Sequence, residues 1–287
     1  MYNLTDIATI KRIMSKNGFS FSKALGQNFI IDPEVCPEMA ELSGITEESG
    51  VLEIGPGIGV LTQELGRRAK KVVALELDAR LIPVLEDTLS DFDNIEVINA
   101  DAMKIDLKKL IDTSFEGCSD IYVCSNLPYY ITSPIIMMLL ESRLPFKAIT
   151  VMVQKEAAER LCAEVGSREA GAVSVAVNYY SQAEELLFVP RTAFMPSPKV
   201  DSKVIKLTVR QESIYNPTDE SFFFKTVKAA FSQRRKTAQN GLSSGLGMPK
   251  ATVGQAMEKA GLRLDVRAEK LTMEELLALS EELYKLR

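Results

Sequence analysis

Between residues 51 and 153, short apolar runs alternate with helix-forming segments, and this alternation restricts the fold more tightly than any other feature. The runs are Val51-Leu52-Glu53-Ile54, then 72–76, 95–98, 120–125 and 147–153. Helical spacing of apolar residues separates them at 60–69, at 79–89 and onward from Ser133-Pro134. A strand buried on both faces reads as a continuous apolar run, and parallel neighbours need a long crossover that a helix supplies. The pattern therefore predicts an α/β fold, a doubly wound parallel sheet covered by helices on both faces. β-branched segments at 185–189 and 203–209 bring the sheet to about seven strands.

Upstream, Leu4, Ile7, Ile10 and Met14 share a helical face over residues 4–16, and Asp32-Pro33 starts a helix over 33–43. Past Arg210, Gln211-Glu212-Ser213 and Asn216-Pro217 read as a linker, and residues 218–287 as wholly helical. The expected domains are 1–210, carrying ligand and chemistry behind an N-terminal helical arm, and 211–287, a small all-α domain. No internal repeat interrupts this plan.

In open sheets of this kind, ligands bind at the C-terminal ends of the strands. There, Glu53-Ile54-Gly55-Pro56-Gly57-Ile58-Gly59 joins the first strand to a helix. A dinucleotide fingerprint is G-x-G-x-x-G, but Val60 occupies its third glycine position, which disfavours a dinucleotide-dependent oxidoreductase. The E-x-G-x-G-x-G spacing resembles the first motif of class I methyltransferases, whose loop wraps the methionine part of S-adenosylmethionine. That resemblance implies a Rossmann-like methyltransferase domain with S-adenosylmethionine as cofactor, held in part by Glu53, Gly55, Gly57 and Gly59. Glu76 ends the second strand, placed to accept hydrogen bonds from ribose hydroxyls, and Asp101 follows the third, where it would take the adenine amino group.

Asn126-Leu127-Pro128-Tyr129 follows the apolar strand Ile121-Tyr122-Val123-Cys124. An exocyclic adenine nitrogen is a poor nucleophile because its lone pair is delocalised into the ring. Two acceptors aimed at its hydrogens would draw it toward tetrahedral geometry. The Asn126 side-chain oxygen and the Leu127 carbonyl supply them, Pro128 holds the preceding residue extended, and Tyr129 can stack on the base. Phe194, in Ala193-Phe194-Met195-Pro196, is the candidate for a second stacking face. The chain has no histidine, which removes imidazole bases and His-ligated metal sites. Methylation before proton loss needs no such base. The four cysteines lack C-x-x-C spacing, so no metal site is expected.

Taken together, these segments resemble the ribosomal RNA adenine dimethyltransferase family, and within it the branch acting on small-subunit (16S) rRNA. The match runs nearly end to end and includes Leu25-Gly26-Gln27-Asn28-Phe29-Ile30, the stretch from Asn126 to Pro134, and Phe194 to Ser202. It implies that Asn28, Ile30, Gly55, Glu76, Asp101 and Asn126 touch the cofactor. It also implies two methyl groups on each of two adjacent adenines near the 3' end of 16S rRNA in the small ribosomal subunit during its assembly.

The segment Phe231 to Thr237 separates this branch from the sister branch, which modifies large-subunit rRNA and confers antibiotic resistance. In that segment Arg234, Arg235 and Lys236 are candidate RNA contacts, although Ala238-Gln239-Asn240 departs from the family's usual Leu-Arg-Asn and removes one positive charge.

A net charge of −5 is unusual for an RNA-binding protein, but residues 219–267 carry nine basic against four acidic side chains. The first 28 residues hold Lys11, Arg12, Lys16 and Lys23 against Asp6 alone. No apolar run approaches the ~18 residues a membrane helix needs, and no signal-peptide pattern opens the chain, so a cytoplasmic protein is expected. A monomer is expected as well, although no motif bears on the oligomeric state. The remaining alternative is a non-catalytic assembly factor on the same fold, against which the intact Asn126 to Tyr129 argues.

Overall fold

A computed structural model describes residues 2–18, 28–233 and 235–287. The chain forms two compact units, Met1–Ala158 with Ala183–Gln211, and Glu159–Gln182 with Glu212–Arg287.

The larger unit begins with helix α1 (Ile7–Lys16), where Asp6 accepts from the Thr9 backbone N–H at 2.8 Å. Its inward face is shifted from the expected one. Leu4, Ile10 and Ile13 are buried, whereas Ile7 is 41% exposed. The Tyr2 hydroxyl and the Lys16 ammonium both reach the Asp87 carboxylate, and these two anchors set the roll of the helix. Strand β1 (Phe29–Ile30) follows, then α2 (Val35–Ser43), which starts two residues later than expected because the Asp32 side chain binds the Glu34 N–H.

The alternating core then runs β2 (Gly50–Ile54), α3 (Val60–Gly66), β3 (Lys71–Glu76), α4 (Ile82–Thr88), β4 (Ile95–Asn99), α5 (Leu107–Ser114), β5 (Ile121–Asn126), α6 (Thr132–Glu141), β6 (Phe146–Gln154) and α7 (Lys155–Leu161). After α8 (Ala172–Tyr180) come β7 (Ser181–Val189), β8 (Phe194–Met195) and β9 (Ser202–Val209). The seven-stranded sheet has the order β4-β3-β2-β5-β6-β9-β7. The order reverses beside β2, which pairs in parallel with β3 on one side and β5 on the other. That reversal opens a crevice at the C-terminal ends of β2 and β5.

The sheet is not wholly parallel as the alternation suggested. Strand β9 runs antiparallel to β6, with Val151 opposite Ile205. The short return from β7 to β9 leaves no room for a crossover helix.

One face of the sheet packs Val51, Val72 and Cys124 against Met39 and Ala40 of α2 and Leu61 and Leu65 of α3. A second cluster joins Ile10 and Ile13 to Leu81, Val84 and Leu85. The basic run after α3 is consumed locally: Arg68 pairs with Glu64, Lys70 with Glu48 and Lys71 with Glu96.

The smaller unit contains α9 (Glu220–Ala230), α10 (Ala238–Leu246), α11 (Lys250–Lys259) and α12 (Met273–Lys285). A Thr272/Glu275 capping box opens α12. Residues 159–182, which the sequence boundary at 210 placed in the larger domain, group with these helices instead. The cause is aromatic. Tyr179 stacks on Tyr215 and Tyr180 on Phe224, and the Tyr179 hydroxyl donates to Glu220 at 2.8 Å. Among the described residues, no helix is long and apolar enough to cross a membrane.

Candidate active site

The turn after β2 is built on backbone that only glycine adopts easily. Gly55, Gly57 and Gly59 all have positive φ, at 75°, 61° and 94°. A Cβ on Gly57 would lie 3.3 Å from the Phe29 ring, so the turn is also tightly covered there. A Gly57→Ala variant is expected to lose cofactor affinity about tenfold, since a left-handed alanine costs roughly 1–2 kcal/mol and the ring must also give. Equilibrium dialysis against the labelled cofactor measures this, and unaltered affinity would mean that the turn takes no part in binding.

Two carboxylates approach the crevice from this side. Glu53 is 1% exposed, and the buried Thr62 hydroxyl beside it favours its ionised form without closing a hydrogen bond of good geometry to its Oε2. Burial, with Glu76 nearby, pushes the Glu53 carboxyl up to about 8. Glu76, at the end of β3, accepts from the Asp78 N–H at 2.7 Å through Oε1 and from the Gly57 N–H at 3.3 Å through Oε2. Burial raises its pKa despite these bonds. Asp101 lies two residues past β4, accepts from the Met103 N–H and pairs with Lys104, leaving its side chain 30% exposed.

On the other side, Asn126 ends β5 opposite Met152, and the Leu127 N–H donates to the Met152 carbonyl at 3.3 Å. The Asn126 side-chain amide makes no hydrogen bond to a described residue, and no described backbone N–H donates to the Leu127 carbonyl. Both acceptors that the sequence singled out are thus available to a ligand. Pro128 has φ −58° and ψ 128°, and the next residues turn into a short 3₁₀ helix. The Tyr129 hydroxyl is held 2.8 Å from the Ser202 hydroxyl on β9. Burial raises the Tyr129 pKa, so the phenol stays protonated. Tyr129→Phe is expected to cost about 1 kcal/mol of stability with little change in turnover, whereas Tyr129→Ala should lower turnover strongly. Thermal melts alongside methyl-transfer rates separate the two effects.

The crevice gathers Asn28, Ile30, Glu53, Gly55, Gly57, Glu76, Asp101, Asn126 to Tyr129, and Phe194 into one lining. Gly59 sits just outside it, as the residue preceding α3. Strand β1 is held in place by a pairing that sequence patterns did not reveal: Ile30 opposes Phe194 in a two-stranded sheet, and the Ile31 N–H donates to the Ala193 carbonyl at 2.8 Å. Phe194 is only 3% exposed and belongs to the apolar cluster around Ile30 and Val35. A stacking role requires more of its ring face than this conformation offers.

Three apolar residues that sequence reasoning missed also line the crevice with unusual exposure: Leu77 at 50%, Met103 at 44% and Tyr130 at 55%. Leu77 and Met103 follow the two acidic residues by one and two positions, and large exposed side chains there suit contact with a flat apolar ring. Their signal was their adjacency to Glu76 and Asp101. Arg235 and Lys236 are exposed in the turn before α10, and Arg234 and residues 25–27 of the arm motif lie outside the described residues.

Glycine-shaped backbone, carboxylates at successive strand ends and a free amide beside a free carbonyl suit an amino-group acceptor and a nucleoside cofactor. They define a Rossmann-like methyltransferase. Residues 18–285 match the family described as ribosomal RNA adenine dimethylase, and the chain belongs to that family.

Similar proteins include ribosomal RNA small subunit methyltransferase A of Bacillus licheniformis, 48% identical over 97% of both chains. The protein of the same name from a Geobacillus species is 49% identical over 97% of this chain and 98% of the other. Among solved structures, a dimethyladenosine transferase from Plasmodium falciparum has a TM-score of 0.72 at 27% identity, covering 90% of this chain and 98% of that one. The 23S rRNA methyltransferase ErmE has a TM-score of 0.67 at 29% identity, covering 90% of this chain and all of that one.

Proposed function

We propose that the chain dimethylates the exocyclic amino groups of two adjacent adenines near the 3' end of 16S rRNA in the small ribosomal subunit, using S-adenosylmethionine. The observation that carries this reading is the pair of unengaged acceptors, Asn126 and the Leu127 carbonyl, at the rim of a crevice whose other wall is acidic. Similarity to relatives named for the small subunit, at nearly half identity over the whole chain, supports that subunit over the large one.

S-adenosylmethionine supplies an electrophilic methyl group on a sulfonium. The chain's own residues do the rest. Glu76 offers a carboxylate to the ribose and Asp101 one to the adenine amino group, while Asn28, Ile30 and the glycine turn enclose the methionine end. Asn126 and the Leu127 carbonyl accept the two amino hydrogens of the target base and localise its nitrogen lone pair. Tyr129, braced by Ser202, offers its ring to the base. The base must be unpaired or flipped to reach them. The methylated nitrogen is acidic enough to lose its proton to water, so no side-chain base is needed.

The helical unit is assigned to RNA contact. Arg235 and Lys236 have no acidic partner among the described residues. Converting both to glutamine is expected to lower the slope of log affinity against log salt by about 0.7–0.9 for each phosphate that is no longer neutralised. Filter binding across a salt series measures it, and an unchanged slope removes them from the interface. The chain is further assigned as a cytoplasmic monomer.

Incubation with labelled S-adenosylmethionine and undermethylated small subunits, followed by mapping of modified nucleotides, tests the whole proposal. Label on two adjacent adenines of 16S rRNA supports it. Label confined to large-subunit rRNA would place the chain in the sister branch.

A further inference from the structure

The methyl-transfer chemistry leaves Tyr130 without a role. It lines the crevice yet is 55% exposed, and its side chain makes no hydrogen bond, ion pair or ring contact with a described residue. Tyr129 is engaged by contrast, with its hydroxyl 2.8 Å from that of Ser202 and its ring beside the two acceptors. Both tyrosines lie in the short 3₁₀ helix Tyr129–Ile131, where successive side chains point about 120° apart. Tyr130 therefore turns away from Tyr129, toward the mouth of the crevice. Leu77 and Met103, which follow β3 and β4, stand across β2 from this turn, so Tyr130 does not share their wall. Ser133 and Pro134, three and four residues on, are exposed as well, and the tyrosine opens a face that leads from the crevice onto the surface. From Asn126 to Leu140 the chain carries no charged residue, so this face suits a flat ring rather than a phosphate.

An RNA strand that delivers one base to Asn126 and the Leu127 carbonyl carries the next base at the mouth, out of its own stack. A base taken from a stack loses its ring contacts, and aromatic side chains replace them in single-strand recognition. We infer that Tyr130 is the stacking platform for the nucleotide adjacent to the target, and so selects strands whose neighbouring base can also be unstacked. The inference rests on reading the crevice as one that takes an unpaired adenine of RNA. With two adjacent adenines, the platform holds one while the other reacts. The stack forms on binding, before the methyl group moves, so it acts on substrate capture and appears in KM rather than in kcat.

The test is steady-state methylation by the full chain of undermethylated small subunits, with label mapped to one target adenine. The nucleotide on the 5' or the 3' side of that adenine is either intact or abasic. On intact rRNA, Tyr130→Ala should raise KM about tenfold, the scale of one base–aromatic stack, with kcat within about twofold. Where the missing base is the stacked one, the unaltered chain should show the same rise and Tyr130→Ala no further one. Tyr130→Phe, which keeps the ring and gives up only an unengaged hydroxyl, should restore the lower KM. An unchanged KM in Tyr130→Ala overturns the inference. An effect of Tyr130→Ala that persists on both abasic substrates overturns it as well, because the ring then acts on something other than the neighbouring base. Absence of label from the unaltered chain on 16S rRNA overturns the proposed function, on which the inference rests.

Discussion

Replacing Asn126 with alanine is expected to lower methyl transfer by about a hundredfold while leaving S-adenosylmethionine affinity within a few-fold of the original. The scale is that of removing one oriented electrostatic interaction made chiefly in the transition state. Asn126 ends β5, opposite Met152 in the parallel ladder, so its backbone stays fixed when the side chain is cut. Its amide makes no hydrogen bond to a described residue, so truncation leaves no orphaned partner inside the protein. The loss should therefore appear in turnover rather than in folding or cofactor retention. Single-turnover rates on undermethylated small subunits, with cofactor affinity measured separately, resolve the two. Unchanged turnover would dispose of the two-acceptor mechanism, and an equal loss of affinity and rate would make Asn126 a cofactor ligand alone.

The second large effect concerns stability. Gly241 of α10 packs against the end of α9, and a Cβ there would lie 2.7 Å from the Ala229 carbonyl oxygen and 2.9 Å from that of Ala230. Both obstacles are backbone, so relief requires moving a helix rather than turning a side chain. Gly241→Val should gain less than about 1 kcal/mol in helix propensity and lose about 2–3 kcal/mol to overpacking. The overpacking wins, and the helical unit should melt roughly 5–15 °C lower. Differential scanning calorimetry reads this directly. A melting temperature within a degree of the original would show that the two helices separate at little cost.

The alternation from Val51 to Gln154 was legible because buried parallel strands and crossover helices each leave a local trace in the order of apolar residues. So were Glu76, Asp101 and Asn126, since strand ends in such a fold all open on one crevice. Less legible were features made by partners distant in sequence. The inward roll of α1 toward Ile13 rather than Ile7 follows from Tyr2 and Lys16 meeting Asp87. The transfer of residues 159–182 to the helical unit follows from Tyr179 and Tyr180 finding Tyr215 and Phe224. None of these pairings has a local pattern.

By itself, then, the sequence determined the sheet-forming alternation, the glycine turn and the acidic and amide residues at strand ends, because periodicity and spacing are local. Only the tertiary structure decided which groups are free and which are engaged. It ties Tyr129 to Ser202, pairs Ile30 with Phe194 and buries Glu53 with no counter-charge among the described residues. The physical reason is that burial and hydrogen bonding are set by residues far apart in the chain. The charge state of a carboxyl is decided by what surrounds it in space.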